Sequence, residues 1–337
     1  MVKTISNEEL RKGPGLSYST LKAFNEDPMV LINGKPKISH KGISIGGALD
    51  TLIFDGIEVL KEKYAVLSQK RPSAMLGDLA DALVESNNYN TSKGGSVKIN
   101  TLDGVEKANE MNLWKSLSKK SRDEDISKKL NQAFWTYVIE QSNIGDKEVL
   151  STEDYMKIIE LKQVLCNHNK IGKFFSKTVN KERYEVLFQP AFTFTVNEVE
   201  MKGGLDMVVI DHEEKRISPF DLKSTGDKGR NFPSSVFKYR YDLQGSAYMN
   251  CMIQWKDEVY PNYTVDSFKF VVISRTEESP KVWIYAIKPQ DWLEKVNKNR
   301  TVKLEGLKEI LDKYKWTLES KEFYYSKEHS ERGYVTL

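Results

Sequence analysis

The chain has 337 residues, 39% of them hydrophobic and 29% charged, with a formal net charge of +3. That length is enough to bury a substantial core; no apolar run reaches the ~18 residues of a membrane span, and so small a net charge excludes nucleic-acid binding by bulk positive charge. The two cysteines, Cys166 and Cys251, exclude a four-cysteine zinc or iron–sulfur site and suit a reducing cytoplasm.

The opening "MVKTISNEELRKG" carries acids and no apolar stretch, which reads against a secretory signal. "GLSYSTLKAFNEDP" predicts a short helix capped by Ser17 or Ser19, with Leu21 and Phe24 on its apolar face and Pro28 ending it. A basic loop with Lys35, Lys37 and Lys41 follows, and then a second helix, "SIGGALDTLIFDG", with Asp50 inside it. Residues 73–165 are helical in pattern and highly charged, with a mobile loop at "SNNYNTSKGGS". From residue 184 the period changes to two. "YEVLFQPAFTFTVN" and "VEMKGGLDMVVI" predict strands joined by a turn at Asn197 and Glu198, and after the charged turn "DHEEKR" comes the strand "ISPFDLKS". A helix over "PSSVFKYRYDLQGSAYMNCMIQW" is followed by the strands "SFKFVVISRT" and "KVWIYAI". A long amphipathic helix over 288–315 and a polar tail complete the chain. Helices, a β-meander, a helix and further strands predict an α/β fold with a mixed sheet.

The costly charges lie at the inner ends of the two strands in "GGLDMVVIDHEEKRISPFDLKST". Alternation puts Asp221 and Lys223 on one face of their strand, with Leu222 turned to the other. A hairpin brings Asp206 beside Asp221. Two adjacent carboxylates repel unless a cation lies between them, and a hard divalent ion with oxygen ligands suits the place. The backbone carbonyl of Leu222 supplies a third oxygen. Lys223 is a positive charge for a water or phosphoryl oxygen, so the set reads as metal-assisted hydrolysis. Glu185 opens the preceding strand, and Gln244 and Tyr248 lie one turn apart on a helix face. Lys228, Arg230, Lys238 and Arg240 form a basic cluster between the acid-bearing strand and that helix, where they can hold phosphates without reading sequence. Tyr239 and Tyr241 are aromatic enough to stack on bases, though core packing is the commoner fate of such tyrosines.

"GGLD…FDLKS…YRYDLQGSAY" resembles the PD-(D/E)xK nuclease superfamily, in its RecB-type branch, and is most similar to the RecE-like exonuclease VIII nucleases of phages and prophages. The likeness runs from about residue 16 to about 290, including the serine-rich opening helix. It implies a restriction-endonuclease-like core, with a mixed central sheet flanked by helices and an extra helical region, in a single domain over 1–337. Within that domain, 1–72 would supply N-terminal core helices, 73–165 an insertion, 184–290 the catalytic sheet and Q-x-x-x-Y helix, and 288–337 a C-terminal helix and tail.

In the family's terms Asp206, Asp221 and Lys223 are the metal-binding acids and the lysine. Gln244 and Tyr248, the Q-x-x-x-Y pair, contact DNA or orient the charged groups, and Glu185 is a further ligand or an exposed strand-end residue. Asp50 stands where the family has a histidine and is either a ligand in its place or a plain helix-surface acid. His40, only ten residues away, lies in the loop and reads as a solvated side chain. The cofactor implied is Mg²⁺ or Mn²⁺, and the activity is a sequence-independent exonuclease on double-stranded DNA ends in phage-type recombination. The implied partners are a single-strand annealing protein and further copies of the chain in a homo-oligomer, with no membrane, in the cytoplasm. The alternatives are an endonuclease or structure-specific nuclease on the same core, or a non-catalytic DNA-binding protein. No P-loop motif is present.

Overall fold

The computed structural model describes residues 2–34, 45–86, 101–115, 119–176, 179–287, 297–299, 302–323 and 327–333. The chain divides into two units, one of Met1–His40 with Gln163–Leu337 and one of Lys41–Lys162. Lys35, Lys37, Lys41, His40 and nearly all of the "SNNYNTSKGGS" loop lie outside the described residues.

The strands of the first unit are β1 Lys3–Ile5, β2 Leu16–Ser17, β3 Tyr184–Phe188, β4 Ala191–Val196, β5 Val199–Gly204, β6 Met207–Asp211, β7 Arg216–Thr225, β8 Thr264–Val265, β9 Lys269–Ser274 and β10 Val282–Ala286. Each arm of the first expected hairpin is therefore two strands. The reason for the break lies at Gln189, held at φ +49°, and Pro190, which has no N–H for the ladder. Two cross-bonds mark the junction: Gln189 N–H donates to the Asp206 carbonyl at 2.9 Å and Leu205 N–H to the Pro190 carbonyl at 3.0 Å. The outer halves join a four-stranded sheet, β1-β4-β5-β2, closed by Asn197 and Glu198 at positive φ as a hairpin turn requires. The inner halves join a six-stranded sheet, β10-β9-β7-β6-β3, with β8 also on β7.

That sheet is mixed. β7 runs antiparallel to β6 up to the pair Met207–Phe220 and parallel to β9 from Phe220 to Thr225. One face carries Val208, Ile210, Ile217, Phe270 and Val272 into the core. Register sets Asp221 beside Phe270 and Lys223 beside Val272.

Among the described residues the helices of this unit include α1 Asn7–Lys12, α2 Tyr18–Glu26, α3 Phe232–Lys238, α4 Tyr241–Val259 and α5 Leu307–Ser320. Ser17 caps α2, accepting from Thr20 N–H at 3.2 Å, and Leu21 and Phe24 are buried. The single helix expected over 233–255 is broken. Arg240 adopts φ +56° and its guanidinium is fixed by Asp242 and by the Glu305 carbonyl, so α4 starts afresh at Tyr241. The long helix expected over 288–315 is also corrected. Asn297–Asn299 and Val302–Lys303 pair as short strands, and the helix begins only at Leu307, where Gly306 and Glu309 make its first turn.

The second unit starts well before residue 73. Strand Tyr64–Leu67 pairs in parallel with Glu148–Ser151, which ties residues expected in the N-terminal core to this helical unit. Its core gathers Leu79, Leu83, Ile126, Trp135 and Val138 from separate helices. Helix Ile45–Asp50 continues into a π-turn, Thr51–Asp55.

Candidate active site at the strand junction

Asp206 sits in the gap between β5 and β6, where the hairpin leaves one sheet for the other. Because β6 begins only at Met207, the edge of β7 beyond Phe220 faces the aspartate instead of a strand. Leu222 N–H donates to Asp206 Oδ2 at 2.6 Å. In an extended strand a residue's N–H and C=O project to the same edge, so the Leu222 carbonyl is turned to the Asp206 side, as a ligand role requires.

Asp221 is 3% exposed. Gln244 Nε2 donates to its Oδ1 at 2.8 Å, and Lys223 Nζ lies 2.6 Å from its Oδ2. The lysine contact is an ion pair without hydrogen-bond alignment, so Asp221 Oδ2 is a buried acceptor with no hydrogen bond, and Gln244 Oε1 is another. Burial opposes the Lys223 charge, but the carboxylates of Asp221 and Asp206 outweigh it and hold the ammonium well above its ordinary pKa. Two carboxylates thus share one lysine.

Tyr248 packs beneath this group and is 7% exposed. A Cβ on Gly203 would come within 2.4 Å of its ring, so the glycine of "GG" admits the tyrosine. Burial first, then the Asp221 charge, raises its phenol, which meets the Gln244 side chain. Its place is one of support for Gln244, and the expected DNA contact is corrected on burial grounds. Arg240, expected to hold a phosphate, is corrected in the same way. It is 8% exposed and paired with Asp242 at 3.0 Å.

Lys228, Arg230 and Lys238 are exposed. The first two line a groove of about 670 Å³ with Lys281 and Trp283, and Lys238 lies 5.1 Å from the ring centre of Tyr239. Glu185 is not a partner of the acid pair. It pairs with Ile210 and, through it, lies level with Ile217, four residues before Asp221; at ~3.3 Å per residue that is ~13 Å away. Its carboxylate accepts from Tyr260 at 3.0 Å and faces His212 at 3.6 Å. Burial and this carboxylate push the Tyr260 phenol up to about 12. Asp50 belongs to the second unit, at the end of its helix, where its charge acts on the Tyr64 phenol.

Two tyrosines contribute in ways the sequence did not indicate. Tyr241, singled out as a stacking aromatic, has its ring under Lys223 Nζ at 4.8 Å. Tyr18 donates to the Tyr239 carbonyl at 2.7 Å, with its phenol raised by burial and then by Tyr241, Asp242, Tyr248 and Asp221. A tyrosine after a cap serine looks like any helix start.

Among the described residues no three His, Cys, Asp or Glu side chains converge as a metal cluster. The donors at the junction are two carboxylates and a backbone carbonyl. That set fits a hard cation such as Mg²⁺, which keeps several waters and takes one or two carboxylates, and the buried Asp221 Oδ2 is an acceptor with capacity to spare. In comparisons with known proteins, neither a family model nor a curated sequence matches this chain.

Proposed function

We propose that this protein is a metal-dependent, sequence-independent deoxyribonuclease with a PD-(D/E)xK core, an exonuclease that hydrolyses phosphodiester bonds at the ends of duplex DNA. The observation that carries this reading is the meeting of groups at one strand edge: Asp206 accepts the Leu222 N–H of β7, Asp221 lies beside Lys223, and both carboxylates act on that ammonium. Two carboxylates and a backbone carbonyl brought to one place are the kind of oxygen set that a hard divalent cation takes.

Asp206, Asp221 and the Leu222 carbonyl are the groups that would hold Mg²⁺ or Mn²⁺, which when bound makes water a stronger acid and offsets phosphate charge. The chain's own residues do the rest. Gln244 holds Asp221 in one rotamer, and Leu222 N–H does the same for Asp206. The Lys223 ammonium, kept charged by its neighbours, stabilises negative charge that develops on a phosphoryl oxygen. Lys228, Arg230 and Lys238 are exposed cations for backbone phosphates, and such contacts position a duplex without reading it. A nuclease with no sequence filter is safe in a cell only if it needs an end, which is the ground for the exonuclease assignment. A role in phage-type recombination in the cytoplasm, with a single-strand annealing protein and with oligomerisation of the chain, belongs to the same proposal.

The test is linear and covalently closed circular duplex incubated side by side with Mg²⁺, with Mn²⁺ and with EDTA. The linear form is expected to be degraded from its ends to mononucleotides with either metal, while the circle survives. Cleavage in EDTA would remove the metal, and linearisation of the circle at comparable speed would make the enzyme an endonuclease.

A further inference from the structure

The six-stranded sheet has a cavity on the face turned away from the acid pair. Along β7, Arg216, Ser218 and Phe220 alternate with Ile217 and Asp221 and so look out of the opposite side. There they line a cavity of about 330 Å³ together with Lys170, Lys173, Phe174 and Tyr184. Its walls are aromatic. Phe174 and Tyr184 meet edge to face with ring centres 5.3 Å apart, and Phe220 is 6% exposed.

Its rim is basic beyond what the protein needs. Two carboxylates line the cavity, Asp211 and Asp266, and each already has a cation: Arg183 for the first, at 2.9 Å, and Lys269 for the second. Lys170, Lys173 and Arg216 pair with no carboxylate among the described residues. Lys173 donates instead to the Tyr184 hydroxyl at 2.9 Å and lies 4.1 Å from the centre of that ring. Three unmatched cations around an aromatic-walled hollow differ from a solvated basic surface, because the hollow takes a flat apolar ring as well as an anion.

We propose that this cavity binds a nucleoside monophosphate, with the base against the Phe174, Tyr184 and Phe220 rings and the phosphate dianion on Arg216 and the two lysines. Arg216 presents a fork that matches two phosphate oxygens. The volume is at the small end of ligand pockets, ~300 Å³ upward, which suits one nucleotide and not a dinucleotide. The cavity shares no lining residue with the acid pair, so its occupant does not depend on whether the protein is a nuclease.

The test is calorimetric titration of the full chain with dAMP, deoxyadenosine and inorganic phosphate, repeated in Arg216→Ala, Lys173→Ala and Asp221→Asn. Arg216 and Lys173 are exposed, and circular dichroism verifies that each variant keeps its fold. One dAMP should bind per chain, at least tenfold tighter than nucleoside or phosphate alone. Arg216→Ala and Lys173→Ala should each weaken it tenfold or more, and Asp221→Asn should leave it unchanged. The proposal is overturned by absence of dAMP binding, by phosphate binding as tightly as dAMP, or by loss of binding in Asp221→Asn alone. A final titration adds a 5′-phosphorylated tetranucleotide to the dAMP complex. Displacement identifies the natural occupant as a strand end, and no displacement identifies it as a free nucleotide; both support the pocket.

Discussion

Strand β6 is preceded by Asp206 and ends on Asp211, and the two positions use the same side chain in different ways. At the turn, Asp211 accepts two N–H groups, from Glu213 at 3.2 Å and Glu214 at 3.1 Å, and a two-pronged contact from Arg183. Burial pushes its carboxyl up, but the Arg183 and backbone hydrogen bonds outweigh this and hold it below the usual 3.8. At the junction, Asp206 has a backbone N–H and a share in one lysine with Asp221. Asp211 is held by two backbone N–H groups and by Arg183, which it shares with Glu213 and Glu214, whereas Asp206 meets the edge of β7 beside a second carboxylate and a lysine. What an acid is placed against, more than its presence on a strand, separates scaffold from chemistry.

The sharpest way to break this comparison is to delete a charge at each end. Asp221→Asn and Lys223→Ala should each lower hydrolysis by about 10³-fold, as loss of one electrostatic group does in comparable sites, with near-native circular dichroism. Arg183→Ala should lower the melting temperature and leave the rate per folded molecule unchanged. Release of acid-soluble nucleotide measures the first, a thermal scan the second. If the two patterns were exchanged, the roles of the two ends would be exchanged too.

Next in size is the buried pair that breaks the helix. Asp242→Ala strands the Arg240 guanidinium inside the fold and should cost about 3 kcal/mol in urea unfolding. A smaller effect is expected at Gly203→Ala, where the new methyl meets the Tyr248 ring. Overpacking of this kind costs about 2 kcal/mol, and because Tyr248 supports Gln244 the rate should fall with it; Ala at the neighbouring Gly204, 3.0 Å from the flexible end of Leu10, is the milder control. The smallest effect is on pH. The depressed Asp211 pKa gives stability that is complete above the ordinary carboxylate range and is lost as pH falls below 3.8 through the folded value. Asp211→Asn should therefore be less stable than the parent at pH 7, with the gap closing on acidification, as paired melting curves between pH 7 and pH 3 would record.

The meeting of Asp206 and Asp221 was legible because alternation and a short charged turn leave a hairpin little choice of register. So were the Ser17 cap and the Asn197–Glu198 turn, whose chemistry is local. The breaks were not legible. Apolar alternation runs straight through Leu205–Asp206, so nothing in that arm announces that it changes sheets; the only sign is Pro190 on the other arm. The helix break at Tyr239–Arg240 has neither glycine nor proline and rests on an ion pair with Asp242 and a carbonyl of Glu305, distant in the chain. The helix period before residue 307 misled because the short paired strands at Asn297–Asn299 and Val302–Lys303 carry too few residues to show their own period. Glu185, read as either a ligand or a strand-end residue, is the latter; the sequence could not decide because which end of a strand faces the lysine depends on pairing.

A hairpin that belongs to two sheets also joins them through its own backbone. β1 is hydrogen-bonded to β4, β4 to β5, and β5 runs directly into Leu205 and Asp206. The N-terminal strand is therefore joined by continuous ladders to the strand that leads to Asp206, while Asp221 is held on the other side by the parallel ladder to β9. Residues as remote as Lys3 and Thr4, paired with Thr193 and Phe192, thus belong to the framework that carries one of the two acids without touching it.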